Sequence, residues 1–141
     1  MLVEGAVVGT TGLITHDFRV LRTFETGSWL GREHQGAGIG KEMRIATLHP
    51  GFLGFGAQRA TTSAWEDNGP SLGVTNSLGY VANGHRAAVR KGIECSERRF
   101  EMMRDDFLTR LRRDDITVSG VDDCLALLGA EIPVLAAQVA A

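Results

Sequence analysis

The stretch REHQGAGIGKEM, residues 32–43, constrains the fold of this 141-residue chain more than any other. It places Gly36, Gly38 and Gly40 at alternate positions, directly before a pattern typical of a helix. A glycine-rich turn entering a helix brings free backbone N–H groups and the positive end of the helix dipole to one point. The stretch therefore predicts an anion-binding loop. The structural alternative is a turn whose glycines serve only a tight chain reversal.

The patterns on either side of this loop predict the elements that present it. Residues 4–15 and 18–31 favour strands, with a break near Thr23. Apolar residues recur at helical spacing over 39–53, in a helix that Pro50 should interrupt; they are Ile39, Met43, Ala46, Leu48 and Phe52. Residues 57–65 favour a further strand. The order strand, loop, helix, strand over 24–64 predicts a βαβ unit.

The second half of the chain gives weaker patterns. Residues 68–78 predict a short helix with Pro70 in its first turn, capped by Gly79. Residues 79–84 and 97–107 favour the final strands, and 121–128 a helix, before an alanine-rich end. This succession of elements predicts one mixed α/β domain.

Composition excludes several classes of function. With 43% hydrophobic and 23% charged residues, the chain is typical of one globular domain, and its net charge of −2 argues against a nucleic-acid partner. No membrane-spanning run or signal peptide is present, and Cys95 and Cys124 lack a CxxC spacing. We therefore expect a cytoplasmic protein with reduced thiols and no membrane partner. The histidines at 16, 34, 49 and 85 lack metal-ligand spacing, so we expect surface or loop positions and no metal.

Two familiar phosphate-binding motifs do not match the loop. A P-loop needs glycine where Gln35 stands and a hydroxyl where Glu42 stands. A dinucleotide fingerprint starting at Gly36 needs glycine in place of Lys41. Neither a nucleoside triphosphate nor a dinucleotide is therefore predicted.

The spacing Gln-x-x-Gly-x-Gly, with Gln35, Gly38 and Gly40, resembles the pyrophosphate loop of the GNAT superfamily of acyl-CoA-dependent N-acyltransferases. Residues 25–43, ETGSWLGREHQGAGIGKEM, resemble that superfamily's fourth strand, loop and third helix, and residues 65–80, WEDNGPSLGVTNSLGY, resemble its fourth helix leading into the sixth strand. The pairing of Gly-Ser-Trp-Leu with Asn68-x-x-Ser71 is most similar to the ribosomal-protein-alanine N-acetyltransferase branch.

The resemblance implies a mixed, largely antiparallel sheet flanked by helices, in which two parallel strands splay over a CoA slot. It covers about residues 4–107. We expect residues 1–107 to form the acetyltransferase core and 108–141 to be a carboxy-terminal extension of unknown role. Members of the superfamily begin with a strand and two helices, whereas this chain starts on what resembles the second strand. We expect an amino-terminally truncated sheet whose open edge favours a homodimer.

The resemblance also implies the site residues. Acetyl-CoA would contact Trp29, Leu30, Gln35, Gly36, Ala37, Gly38, Ile39, Gly40, Lys41, Asn68 and Ser71. Glu25 is the candidate general base and Ser71 the candidate acid for the thiolate, because Thr75 occupies the position of the superfamily's usual tyrosine. Two structural alternatives stay open: Glu25 as an exposed strand carboxylate and Asn68 as a helix N-cap. Tyr80 is expected to be a strand residue that packs on the core.

The expected function is transfer of an acetyl group from acetyl-CoA to a primary amine by direct attack. The acceptor is either a protein amino terminus or a small-molecule amine. The alternative is a CoA-binding module without catalysis, or a fragment that acts through oligomerisation. The intact loop predicts CoA binding in both cases.

Overall fold

The computed structural model of the chain describes residues 1–129. The strands are β1 Leu2–Val3, β2 Ala6–Val7, β3 Gly9–Thr15, β4 Thr23–Leu30, β5 Arg59–Trp65, β6 Val81–Arg90 and β7 Ile93–Met103. The helices are α1 Phe18–Leu21, α2 Ile39–His49, α3 Gly69–Ser77, α4 Arg104–Arg110 and α5 Asp122–Leu125. A single 3₁₀ turn, Arg32–His34, precedes the glycine loop, and a π-helical turn, Pro50–Gly54, extends α2.

Five strands form one sheet in the order β3-β4-β5-β7-β6, and β1 and β2 form a separate hairpin. Every neighbouring pair is antiparallel except β4 and β5, which are parallel and are joined through α2. This is the predicted βαβ unit inside a mixed, largely antiparallel sheet, so the expected fold class is confirmed.

The core lies on one face of this sheet. Because side chains alternate along a strand, Phe24 on β4 and Phe100 on β7 share the face on which α2 packs. They join Leu48, Phe52 and Phe107 in one buried cluster, in which the ring centroids of Phe52 and Phe107 are 4.8 Å apart. Burial of these large side chains is the main stabilising contribution to the domain.

The opposite sheet face is polar and largely uncovered. The strand register aligns one row across it: Ile14, Glu25, Thr61, Glu101 and Val81. Ile14 and Val81 at the ends of the row are exposed, and the three polar residues between them are partly exposed. The sheet therefore has one face that stabilises the fold and one that is accessible to a second molecule.

Three element predictions were wrong in part. Residues 18–21 form α1 instead of a strand, because Asp17 and Arg22 on either side adopt left-handed φ angles of 48° and 47°, and this turn places Phe18 in the core. Residues 104–107 begin α4 instead of ending the last strand. Strand β6 runs to Arg90, well past the predicted end.

The turn after β6 explains why that strand is longer than expected. Lys91 and Gly92 have φ angles of 54° and 78°, the combination that a tight two-residue hairpin requires. The turn pairs Arg90 with Ile93 and so joins β6 to β7. Little apolar alternation marks this hairpin, because most of β6 is exposed.

Helix α2 confirms most of its predicted core positions, but not all. Met43, Leu48 and Phe52 are buried, whereas Ala46 is exposed. Pro50 does not end the helical path. It changes the backbone to the wider π-helical turn, in which the N–H of Phe55 donates to the Pro50 carbonyl at 2.8 Å.

The expectation of surface or loop histidines was wrong for His49. This side chain is fully buried at the end of α2. Its Nδ1 lies 2.9 Å from the Ile45 carbonyl, and its Nε2 accepts the backbone N–H of Arg113 at 3.0 Å. Since Nε2 must accept, the ring is neutral and its proton is on Nδ1. The sequence around His49 gave no sign of this distant backbone partner.

Residues 108–129 are connected to the rest of the domain. Leu108, Leu111 and Ile116 pack against the core cluster, and the Arg113 guanidinium donates to Glu42 on α2 at 2.6 Å. The division between a core of 1–107 and an extension of 108–141 stays a prediction, and its last twelve residues lie outside the described part of the chain.

Three further observations concern residues 1–129 alone. No helix in this part is long and apolar enough to cross a membrane. No group of three or more metal-ligating side chains is found there. Cys95 and Cys124 are both free thiols.

Candidate active site

The glycine loop presents a run of free donors to solvent. Gly36 and Gly38 have φ angles of 80° and 82°, and Gly38 is the N-cap of α2. The first N–H groups of α2 that find an acceptor are those of Lys41 and Glu42, which both donate to the Gly38 carbonyl. Within residues 1–129, the N–H groups of 36–40 have no acceptor. The loop is therefore suited to an anion.

Open space in front of the loop fits a bulky diphosphate. A Cβ added at Gly36 or at Gly38 would meet no atom within 4 Å. Ala37 and Lys41 are exposed beside them, so a positive side chain is available at the same place. The absence of side chains lets a ligand approach the backbone closely, as the pyrophosphate of CoA would require.

Gln35 connects the loop to β4. Its Nε2 donates to the Leu30 carbonyl at 3.1 Å. The 3₁₀ turn lies between them, and there His34 donates its N–H to the Gly31 carbonyl at 3.0 Å. The side chain of Gln35 thus holds the loop against the end of β4.

Strands β4 and β5 diverge immediately beside this loop. They pair in parallel at three positions only: Thr23 with Arg59, Phe24 with Ala60 and Glu25 with Thr61. Both strands continue beyond this point without backbone pairing between them. Beyond that point side chains connect the strands: Thr62 Oγ1 donates to the Thr26 carbonyl at 3.1 Å. This is the predicted splay between residues 24–31 and 58–64.

The backbone of β4 has a definite orientation in the gap. Gly31 donates its N–H to Val8 at 2.9 Å, and hydrogen-bonded positions alternate along an antiparallel pair. Trp29 therefore directs its backbone groups to its partner Thr10 on β3, whereas Leu30 directs its N–H into the gap. The Leu30 amide is consequently available to a ligand, and Trp29 offers an indole side chain that is 65% exposed on the opposite sheet face.

Helix α3 forms the far wall of the gap. A Cβ at Gly40 would lie 3.8 Å from Val74 Cγ2 and 3.9 Å from Leu30 Cδ2, so α2, α3 and β4 meet closely at this point. Asn68 caps α3, since its Oδ1 accepts the N–H of Ser71 at 3.2 Å. The N-cap alternative for Asn68 is thus confirmed. Ser71 is partly exposed in the first turn of the same helix.

Ion pairs hold the turn before α3. Arg90 donates to both carboxylate oxygens of Asp67, at 2.5 and 3.0 Å, and stacks over Trp65 at 5.0 Å. The hydrogen bond from Arg90 keeps the pKa of Asp67 below its usual value. These contacts position the N-terminus of α3 relative to the end of β5.

Glu25 lies on the uncovered sheet face, partly exposed, between Ile14 on β3 and Thr61 on β5. Across the sheet, Arg86 donates to Glu97 at 2.5 and 3.1 Å. Hydrogen bonding and charge from Glu97 raise the pKa of Arg86, and the Glu25 carboxylate adds a smaller effect in the same direction. Glu25 is therefore a carboxylate at the point where the strands separate, accessible from the uncovered face.

Sequence reasoning missed a buried polar group beneath the gap. Arg44 on α2 donates from Nη1 to Thr62 Oγ1 at 3.0 Å and from Nη2 to Ser28 Oγ at 3.2 Å. Burial raises the pKa of the nearby Tyr80 hydroxyl, and the positive charge of Arg44 offsets part of this rise. Tyr80 is a core residue, as expected from the sequence. The one indication in the sequence that Arg44 is buried is its position next to Met43, a predicted core residue of the helix.

Comparisons with known proteins agree with this geometry. Residues 2–81 match the family model described as an acetyltransferase (GNAT) domain. The chain belongs to the GNAT acetyltransferase family. Membership confirms the family that the loop and the Asn-x-x-Ser segment predicted, and the family uses acetyl-CoA.

Solved GNAT structures share the fold at low identity. A crystal structure of a probable acetyltransferase is 21% identical with a TM-score of 0.69, covering 74% of this chain and 60% of that one. Mutant forms of the spermidine/spermine N-acetyltransferase from Vibrio cholerae are 19% identical with a TM-score of 0.70, covering 77% and 64%. A dodecameric spermidine N-acetyltransferase structure from the same organism is also 19% identical, with a TM-score of 0.69, covering 77% and 64%. The chain spans less than two thirds of the length of these GNAT structures.

Proposed function

We propose that the chain is an acetyl-CoA-dependent N-acetyltransferase that acetylates a primary amine. One observation carries this proposal: the free N–H groups of 36–40 lie at the end of a gap between β4 and β5, into which the Leu30 amide points. An extended acyl-CoA can place its pyrophosphate on the loop and its pantetheine arm in that gap. Gln35, Asn68 and Ser71 are proposed to border this path, whereas the backbone of Trp29 faces β3 and its indole lies on the opposite sheet face.

Direct transfer requires a neutral amine, a polarised thioester carbonyl and a proton for the departing thiolate. Glu25 is proposed to accept the proton of the attacking amine, directly or through water, because it is accessible at the point of strand divergence. The Leu30 N–H is proposed to donate to the thioester carbonyl. Ser71 is proposed to supply the thiolate proton, since Thr75 is fully buried within α3.

The acceptor enters from the uncovered sheet face in this proposal. Both a protein amino terminus and a small-molecule amine are compatible with a sheet face that carries a partly exposed carboxylate, Glu25, and, further along β4, an exposed indole, Trp29. Similarity to the ribosomal-protein-alanine branch in the Gly-Ser-Trp-Leu segment supports the first, and the name of the Vibrio cholerae spermidine/spermine N-acetyltransferase supports the second. A panel of peptides and polyamines distinguishes them.

The uncovered face also favours a second candidate, a CoA-binding module that lacks turnover by itself. Strand β3 is an edge of the sheet in the described residues, and an edge with exposed neighbours is suited to pairing with a second copy. We propose a homodimer on this basis, in which the second copy pairs with the β3 edge. The free thiols at Cys95 and Cys124 support a cytoplasmic location.

The test measures binding and turnover separately. Thermal shift and calorimetry with acetyl-CoA should show binding, and a thiol-release assay on the amine panel should show turnover with one acceptor class. Binding without thiol release on any amine would support the non-catalytic module. A chain that does not bind acetyl-CoA would contradict both functions.

A further inference from the structure

Arg44 is a buried cation that spans the gap between the two diverging strands. Its side chain is only 4% exposed, although it is charged. One guanidinium nitrogen donates to Ser28 on β4 and the other to Thr62 on β5. Neither acceptor is a carboxylate, and Arg44 forms no ion pair with any residue from 1 to 129. The charge is therefore buried without compensation from an acid in this part of the chain.

Such burial is costly, and apolar packing alone would not require it. A desolvated guanidinium destabilises a fold unless it is well hydrogen-bonded, and a methionine of similar length would fill the same volume. Here Nε of Arg44 has no partner among the described residues, nor does the hydroxyl of nearby Tyr80. The stabilisation that Arg44 provides thus rests on its two contacts across the gap.

The position of these contacts follows the divergence of the strands step by step. Backbone pairing ends at Glu25 with Thr61. One residue further, hydroxyl groups replace it, with Thr62 donating to the Thr26 carbonyl at 3.1 Å. Two residues further along β4, at Ser28, the distance is bridged by the guanidinium of Arg44. Beyond the last backbone pair the strands are therefore connected by side chains, and at Ser28 the connection is the guanidinium of Arg44.

We propose that Arg44 is a positioning residue that sets the width of the gap between β4 and β5, and with it the affinity for the pantetheine arm of the acyl-CoA. The inference rests on the proposed function. Ser28 lies two residues before Leu30, so the contact at Ser28 also holds the strand segment that presents the Leu30 amide. A planar guanidinium suits this task because its two outer nitrogens reach two acceptors in fixed geometry, whereas a lysine ammonium is a single point donor.

Two ligands separate positioning of the gap from general stability. Acetyl-CoA occupies the loop and the gap, whereas 3′-phosphoadenosine 5′-diphosphate keeps the diphosphate and lacks the pantetheine arm. In the variant Arg44→Met, the affinity for acetyl-CoA should fall about tenfold, the scale of two lost hydrogen bonds. The affinity for the diphosphate fragment should stay within about twofold, since the loop is unchanged. Calorimetry with both ligands gives the ratio directly.

Further variants keep the test decisive if Arg44→Met does not fold. Ser28 is exposed, so Ser28→Ala removes one anchor at little risk and should lower acetyl-CoA affinity about threefold, with the fragment unaffected. Arg44→Lys keeps the positive charge but can make only one of the two contacts. Its affinity for acetyl-CoA should lie between those of the wild type and Arg44→Met. The double variant Arg44→Met/Ser28→Ala should bind acetyl-CoA as tightly as Arg44→Met alone, because both changes remove the same contact between Arg44 and Ser28.

A matched control removes a similar link elsewhere. Thr11 Oγ1 on β3 lies 2.8 Å from Thr47 Oγ1 on α2, outside the gap. Thr11→Val should leave the ratio of the two affinities at its wild-type value. The inference would be overturned if the ratio of the affinities for acetyl-CoA and the diphosphate fragment stayed at its wild-type value in Arg44→Met and Ser28→Ala, whether both affinities are unchanged or both fall equally. A wild-type chain that binds the fragment but not acetyl-CoA would do so too, and one that binds neither ligand would contradict the proposed function itself.

Discussion

Strand β5 is bordered by two very different neighbours. With β7 it pairs along its whole length, from Arg59 opposite Met103 to Trp65 opposite Glu97. With β4 it pairs over three residues only. On the core face, β7 contributes the buried Phe100 and Met102 along the pair, whereas β4 contributes Phe24 and is then bridged to β5 by hydroxyl groups and a guanidinium.

This difference shows how one strand can serve stability and binding together. Continuous pairing and apolar burial on the β7 side keep β5 in the sheet. The backbone hydrogen bonds on the β4 side can then be absent without loss of the fold. Polar side chains there provide hydrogen-bond partners for some of the backbone groups that lack a partner strand. Changes on the β7 side should therefore affect folding, and changes on the β4 side, apart from the core residue Phe24, should affect the proposed binding and turnover.

The largest expected effect is on the β7 side. Phe100 is 2% exposed in the core, so Phe100→Ala should lower the free energy of unfolding by about 3–5 kcal/mol, through lost burial and a residual cavity. Urea denaturation followed by circular dichroism measures this change. Ser28→Ala on the β4 side should change it by less than about 1 kcal/mol. A similar loss of unfolding free energy in both variants would contradict the proposed difference between the two sides of β5.

Next in size is the effect of Glu25→Gln at the point of divergence. If Glu25 is the general base, turnover should fall about 100-fold while acetyl-CoA affinity hardly changes, because shape is kept and the proton acceptor is lost. Thiol release at several pH values and calorimetry measure the two quantities. Glu101→Gln, a carboxylate in the same row of the sheet face, is the control and should have a much smaller effect. Unaltered turnover in Glu25→Gln would leave this residue an ordinary strand carboxylate.

A smaller effect is expected in the loop that the β4 side leads into. Gly38→Val places a branched side chain at a φ of 82° and in front of the free donors, so acetyl-CoA affinity should fall about tenfold or more. Gly5 has a φ of 84° in the β1–β2 hairpin and equally open surroundings. Gly5→Val should cost comparable stability and leave binding intact. A loss of affinity in both variants would show that backbone strain alone is responsible.

The smallest effect concerns Tyr80, the only tyrosine in the chain. Burial raises its pKa in the folded protein above the usual value near 10, so its phenolate should appear at higher pH than in the urea-unfolded chain. Stability should be independent of this group below the unfolded pKa and should fall as pH rises beyond it. Ultraviolet absorbance of the phenolate measures the shift. Arg44→Met should raise the folded pKa further, because the charge of Arg44 lowers it.

The glycine loop and the βαβ order around it were predictable because both depend on local properties. Positive φ at Gly36 and Gly38, and unsatisfied N–H groups at a helix start, follow from residue types at adjacent positions. The capping role of Asn68 is local for the same reason. Strand ends and short helices were less predictable, as α1 and the β6–β7 hairpin show, since their apolar pattern is weak or interrupted.

The glycine loop, the helix behind it and the family to which the chain belongs could all be inferred from the amino-acid sequence. Which distant side chains meet, by contrast, depends on how the chain packs in three dimensions. This packing brings Arg44 to Ser28 and Thr62, and His49 to the backbone of Arg113. These partners lie 16 to 64 positions apart in the chain, so their contact depends on how α2 rotates onto the sheet and on where β4 leaves β5. Local sequence does not encode either quantity, because both result from packing of the whole core.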